Sequence, residues 1–222
     1  MLDSEIIKKI TKQYHNLTRF QRFHLSKRLK WCQYDHISSF LPEKGLVLDI
    51  GCGYGHFCVY LSLAKPLLQI LGCDIDEKKI SIAKTIDLNK QNQYDFLCGN
   101  IVSLNPLQNL KFDSIVILDV LYLVPVQFQK EILKWVSSHL KSKGVLIIKT
   151  IDTEKGIRSK LAIIQEYIMI VLLRKTKATN GITHEKSPNF YVEILKQLDF
   201  DINTIPLSEN RTPSLLITAI KK

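Results

Sequence analysis

The stretch LVLDIGCGYG, residues 46–55, sets a carboxylate, Asp49, just ahead of glycines at the alternate positions 51, 53 and 55. Glycines at that spacing remove the side chains that would keep a ligand from the backbone, and they supply the φ > 0 conformations other residues resist. A helix starting just after the turn points its free N–H groups at the same spot. The chemistry offered is capture of a nucleotide-like ligand at the carboxyl end of a central strand. A phosphate-cradling loop would need Gly-Lys-Ser/Thr, which is absent. A dinucleotide fingerprint, G-x-G-x-x-G, needs a third glycine for close packing of helix on strand. That place falls on His56 counted from Gly51 and on Cys58 counted from Gly53. The pattern present is D-x-G-x-G-x-G. An ionised Asp49 in it suits a ligand carrying positive charge, because opposite charges attract strongly where water is partly excluded. A glycine-rich turn without a ligand is the alternative, and the later motifs weigh against it.

Three further strand ends carry polar groups. LGCDID, 71–76, places Asp74 about 20 residues beyond the glycine turn, where a carboxylate can accept from two ribose hydroxyls. Asp76 suits the cap of the next helix, and Ile75 offers an apolar face to a base. CGN, 98–100, offers the amide of Asn100. FDSIVILDVLYLVP, 112–125, delivers Asp119 at its end.

The segment from Val47 to Gly55 resembles the first motif of the class I S-adenosylmethionine-dependent methyltransferases. The likeness extends closely over residues 45–150 and less specifically over the terminal strands. The wording from Asp119 to Pro125 is similar to a group of small bacterial methyltransferases of poorly defined substrate. The resemblance implies S-adenosylmethionine as cofactor, held by Asp49, Gly51, Cys52, Gly53, Gly55, Asp74, Ile75, Asn100, Ile101 and Asp119. The family often has Asp where this chain has Asn100, whose carbonyl oxygen can also accept from an adenine amino group. The Ile101 N–H is placed to donate to the ring, and Asp119 to lie near the transferred methyl. The N-P-P-Y-type signature of enzymes that methylate amino groups of bases and amides is absent, which favours oxygen over nitrogen as acceptor. Methyl transfer asks mainly for positioning and water exclusion. An acceptor that is a carboxylate or acidic phenol needs no base. Candidate bases are Asp119 and His184, with Tyr14, Tyr122 and His24 as positioning groups. Each has a plain structural alternative as a core or loop-ordering residue.

These residues need a parallel sheet beneath them. Strand patterns fall at 46–50, 69–74, 94–98, 114–118, 145–150, 201–205 and 215–220, with helices at 55–65, 77–88, 126–140 and 188–198. The alternation predicts an α/β class I methyltransferase fold: a seven-stranded, mostly parallel sheet with the last strand antiparallel and helices on both faces. Residues 100–112, with Asn105-Pro106, read as a short helix or irregular loop. Ahead of the core, helices to about residue 15 and over 18–41 form a helical N-terminal cap. One domain of 1–222 is expected, comprising the cap (1–41), a cofactor-binding core (42–150), a substrate-side insertion (151–187) and a terminal helix with two strands (188–222).

Composition bounds the rest. With 45% hydrophobic and 23% charged residues the chain is ordinary globular protein. No secretory leader is read at the start, and the greasy run 161–173 is broken by Gln165 and Glu166, short of the roughly 20 residues a membrane span needs. A cytoplasmic protein is expected. Five cysteines without C-x-x-C pairing read as buried thiols, and no metal site is expected. The net charge of +10 is uneven: residues 1–45 hold nine Lys/Arg against four Asp/Glu. A basic rim attracts nucleic acid, an acidic membrane surface or a phosphorylated substrate; a solvated face accounts for the same excess. The preferred function is methylation of a small lipophilic or amphipathic acceptor. Peripheral membrane contact is compatible with it. The alternatives are methylation of RNA and a cofactor-binding protein without transfer activity.

Overall fold

Alternating apolar strands and amphipathic helices fold, in a computed structural model, into a seven-stranded sheet of order β3-β2-β1-β4-β5-β7-β6. The structure describes residues 4–15, 17–86, 93–153, 187–207 and 213–222, with the side chains of Ser4, Phe20, Gln21, His24 and Trp31 left aside. The helix expected over about 157–174, which holds the greasy run 161–173, and His184 therefore lie outside the described residues, as does the side chain of His24. The chain divides into two compact units, 1–100 and 101–222. Among the described residues no helix is long and apolar enough to cross a membrane.

The first unit carries α1 (Ser4–Gln13), α2 (Arg19–Trp31) and α3 (Tyr34–Ser38), then β1 (Lys44–Ile50), α4 (His56–Ala64), β2 (Leu67–Asp74), α5 (Glu77–Ala83) and β3 (Tyr94–Cys98). β1 pairs parallel with β2, and β2 with β3. The single helix expected over 18–41 is two. Gln33 takes a left-handed φ of 47° between them. The break turns Tyr34 and Ile37 inward, where both are buried, and Tyr34 packs against the rings of Phe57 and Tyr60 at 4.9 and 5.6 Å. Burial of two large side chains outweighs the cost of a short interruption, which no glycine or proline announces. Lys65, buried after α4, donates to the Leu41 carbonyl at 3.0 Å and fixes the entry into β1. Asp76 caps α5 as expected, accepting from the Lys78 and Lys79 N–H groups.

The second unit has two 3-10 turns, Ile101–Ser103 and Asn105–Leu107, where a short helix or irregular loop was expected. β4 (Phe112–Leu118), a 3-10 turn at Leu121–Leu123, α6 (Val126–His139), β5 (Leu140–Ile151), α7 (Pro188–Gln197), β6 (Phe200–Leu207) and β7 (Ser214–Lys221) follow. β4 and β5 are parallel, while β7 is antiparallel to both β5 and β6. β5 starts earlier than its apolar run, with a register shift near Phe112 as α6 passes directly into it.

Glycines 51, 53 and 55 all take positive φ, at 75°, 57° and 75°. Their surroundings differ. A Cβ on Gly53 would meet only ordinary contacts, the nearest being Lys79 at 3.9 Å. A Cβ on Gly55 would collide with the Phe96 ring from β3. Gly55 therefore makes room for the protein core, not for a ligand, and supplies the close packing that the spacing had seemed to deny at His56 and Cys58. We expect Gly53→Ala to lower stability by about 1–2 kcal/mol, the cost of a left-handed side chain. Gly55→Ala should lose about 2–5 kcal/mol because overpacking adds to that strain. Urea denaturation of both, with a Gly55→Ala/Phe96→Leu double variant losing less than the sum of its parts, checks the assignment.

Candidate active site

Asp49 and Asp74 lie in the last two residues of β1 and β2, while Asn100 and Asp119 come just after β3 and β4. In the first unit, Gly51 and Cys52 both donate backbone N–H groups to the Cys73 carbonyl, at 2.7 and 3.0 Å, so the turn leaves β1 by hooking over β2. Asp74, at the end of β2, completes the hook. Its Oδ2 accepts from the Gly53 N–H at 2.9 Å and its Oδ1 from the Asp76 N–H at 2.9 Å. A carboxylate has about four lone-pair sites, so Asp74 holds the glycine turn in shape and retains capacity toward a ligand. Its removal would loosen the turn as well as any bound ribose. Ile75 beside it is 45% exposed, an apolar surface next to the carboxylate. The Gly99 N–H donates to the Asp74 carbonyl at 3.0 Å, which sets exposed Asn100 beside the end of β2.

Asp49 lies deeper. It is buried, and the Cys58 thiol donates to its Oδ2 at 3.4 Å. Burial pushes its carboxyl up to about 7, with the Asp74 charge adding to the rise and the Cys58 bond and the Arg28 charge opposing it. Cys52, Cys58 and Cys73 are buried thiols around this carboxyl, with Cys58 and Cys73 raised well above the usual thiol range by burial.

Tyr14 ties the cap to the turn. Its hydroxyl donates to the Tyr54 carbonyl at 2.9 Å, and its ring lies 5.1 Å from that of His56, the first residue of α4. Burial, with the Arg28 and Lys79 charges nearby, pushes the His56 imidazole down to about 3, so the ring is neutral. Its buried Nε2 has no hydrogen-bond partner among the described residues. Nothing in the spacing marked His56, Arg28 or Phe96 as site-building residues, because their proximity to the turn arises from helices and strands remote in sequence.

In the second unit, Ile101 is buried in its 3-10 turn, and Tyr122 is buried in the turn after β4. Asp119 takes a left-handed φ of 58°, an uncommon conformation for a residue other than glycine. It is clamped twice by the neighbouring strand. Its N–H donates to the Lys149 carbonyl at 3.1 Å, and the Lys149 Nζ donates to both carboxylate oxygens at 3.2 Å. The Lys149 side chain is only 4% exposed. Lys149 was missed, although a signal existed: it is the lone cation in the apolar run VLIIKTI. Among the described residues no group of three or more His, Cys, Asp or Glu could hold a metal ion.

Removing one partner of such a pair strands a charge. Lys149→Met should cost about 3–5 kcal/mol of stability, and Lys149→Met/Asp119→Asn should recover much of it, since no unpaired ion is left. Thermal and urea denaturation of the two variants measure both.

Comparison with known proteins bears on the family and the fold. Residues 43–198 match the family model described as a methyltransferase domain. A ubiquinone biosynthesis O-methyltransferase of Idiomarina loihiensis is 31% identical over 106 residues, covering 48% of this chain and 42% of the relative. The chain thus spans less than half of that relative's length. A carboxy-S-adenosyl-L-methionine synthase of Campylobacter hominis is 25% identical over 172 residues, covering 73% of this chain and 72% of the relative. Among solved structures, magnesium protoporphyrin IX methyltransferase of Synechocystis PCC 6803 with bound SAH superposes with a TM-score of 0.68. It shares 21% identity, covers 99% of this chain and 95% of its own, and shows the shared fold. With a family match over most of its length, and with the glycine turn and strand order that go with it, the chain belongs to the class I S-adenosylmethionine-dependent methyltransferases.

Proposed function

We propose that the chain transfers the methyl group of S-adenosylmethionine to oxygen of a small lipophilic or amphipathic acceptor that is itself acidic. The observation that carries this reading is the engagement of Asp119 by Lys149 through both carboxylate oxygens. Both oxygens of that carboxylate already face the lysine, so Asp119 is read here as a positioning group. The other described candidates are also committed: Tyr14 donates to the Tyr54 carbonyl, and Tyr122 is buried and partnered. An acidic phenol or carboxylate ionises by itself and needs only positioning. The O-methyltransferases among the relatives support oxygen as acceptor. The run 161–173, apolar except for Gln165 and Glu166, supports a lipophilic one. The free thiols of the described cysteines suit a reducing, cytoplasmic setting.

The residues present fit the cofactor. The space beside Gly53 admits close approach to the backbone, Ile75 offers an apolar surface, and Asp74 keeps accepting capacity beside the turn. We assign Asp49, Gly51, Cys52, Gly53, Gly55, Asp74, Ile75 and Asn100 to holding it, Gly55 through the turn's shape; the family resemblance adds Ile101 and Asp119 to the proposed set. When bound, the cofactor supplies a methyl group on a sulfonium, which leaves readily on in-line attack. The protein's share is to present cation-stabilising carboxylates, hold the acceptor and exclude water.

Asp49 gives this assignment a pH signature. Its folded value of about 7 lies above the ordinary carboxylate value of about 3.9. A raised folded value contributes stability that is present below the unfolded value and lost as pH rises through the folded one. Asp49→Asn should remove that loss, so the variant gains on the parent as pH rises from about 4 to about 7, with little further change above it. A cationic ligand favours the ionised carboxylate, so cofactor affinity should rise about tenfold from pH 6 to pH 8. Calorimetry in buffers of different ionisation enthalpy would show the released proton. Affinity independent of pH would remove Asp49 from the cofactor's surroundings.

The acceptor is tested by transfer of labelled methyl to an acidic alkylphenol, a long-chain carboxylic acid, an alkylamine and RNA. We expect label on the phenol or the carboxylic acid, with a rate flat above the acceptor's own pKa. Label confined to the amine or to RNA would overturn the acceptor class.

A further inference from the structure

We infer that α1 and α2 form a docking face for an anionic phospholipid bilayer. Residues 4–31 hold eight Lys/Arg and one acid, Glu5. Six of the cations, Lys8, Lys9, Lys12, Arg19, Arg22 and Lys30, pair with no described acid. All of these but Arg22 are exposed, and Arg22 is half-buried.

The helices sort this charge from the core. Ile7 and Ile10 of α1 are buried, and at helical spacing Lys8 and Lys12 share the opposite, exposed side. On α2, Leu25 and Leu29 are buried, while Arg19, Phe23, Lys27 and Lys30 fall within one helical stripe. Phe23 is 54% exposed at the middle of that stripe, and the Lys27 ammonium lies 4.2 Å from its ring centroid. An apolar ring under an ammonium, flanked by unpaired cations, matches the headgroup region, where charge meets the edge of the hydrocarbon. Unpaired charge spread over two helix faces also complements the diffuse negative charge of a bilayer. Nucleic acid that is not read by sequence is held by several stacking rings along a basic groove. The described side chains of α1 and α2 offer one exposed ring, and Lys27 already covers it.

This face is built on the cap that Tyr14 bonds to the glycine turn, so docking would hold the cofactor-binding unit at the lipid surface. The inference stands on charge and exposure, and it does not depend on which acceptor is methylated.

Flotation of the full chain with vesicles tests it, using phosphatidylcholine alone and phosphatidylcholine with about a third phosphatidylglycerol, at low and high salt. Binding should need the anionic lipid and weaken with salt. Replacing a single lysine, as in Lys8→Gln, Lys12→Gln or Lys30→Gln, should weaken binding about fivefold, and all three together about a hundredfold. Phe23→Ser should weaken it at both salt concentrations. Unchanged affinity for S-adenosylhomocysteine and an unchanged melting temperature show that the variants are folded. Equal binding to neutral vesicles, no binding to anionic ones, or full binding by the triple variant would overturn the inference. So would tighter retention of RNA than of anionic vesicles at the same salt, which would give the face to nucleic acid.

Discussion

The site rests on one packing contact, the Phe96 ring in the space left by two missing side chains. A Cβ on Gly55 would strike that ring, and a Cβ on Gly72 would lie 2.7 Å from Phe96 Cδ1 and 2.9 Å from Cys52 Sγ. The ring thus joins β3, β2 and the turn after β1 in one close-packed cluster. Protein interiors tolerate little change of volume at such a point. Because Phe96 sets how deeply the turn can settle, it also sets where Asp74 meets the Gly53 N–H and where α4 begins. The backbone geometry offered to a ligand is therefore determined by an apolar residue that need touch no ligand.

Two carboxylates at the strand ends are treated in two ways. Asp49 is buried and, among the described residues, has a weak thiol donor alone at hydrogen-bond distance, so desolvation dominates and its carboxyl rises to about 7. Asp119 instead has a full ion pair with Lys149, held by strand pairing and by its own left-handed backbone. The first carboxyl is poised to gain from an arriving cation. The second already has its cation, which fixes where the carboxylate points. This division follows from burial and partners, since both residues are aspartates at strand ends.

The N-terminal helices belong to the same logic. Their apolar sides bury Ile7, Ile10, Leu25 and Leu29, while Tyr14 reaches the turn through a single hydrogen bond. The charged sides have no described acid to answer most of them. A cap that only covered the core would need the first property and not the second.

The alternation of apolar strands with amphipathic helices, the D-x-G-x-G-x-G turn and the acid at Asp74 were legible because they depend on local spacing. Periodicity assigns elements, and glycine at alternate positions announces positive φ. The strands and most helices accordingly lie within a few residues of their expected bounds. The break at Gln33 was not legible, because it is driven by burial of Tyr34 against Phe57 and Tyr60 and by no local breaker. Nor was the true role of Gly55, whose partner Phe96 is 41 residues away in the chain. Asp119 was marked as a candidate base by its place at a strand end. Only the pairing of Leu118 with Lys149 in adjacent parallel strands showed the cation that occupies it. Sequence by itself determined which groups stand at which strand ends. Tertiary structure decided their charge state and their availability, because desolvation and ion pairing are set by neighbours that only folding brings together.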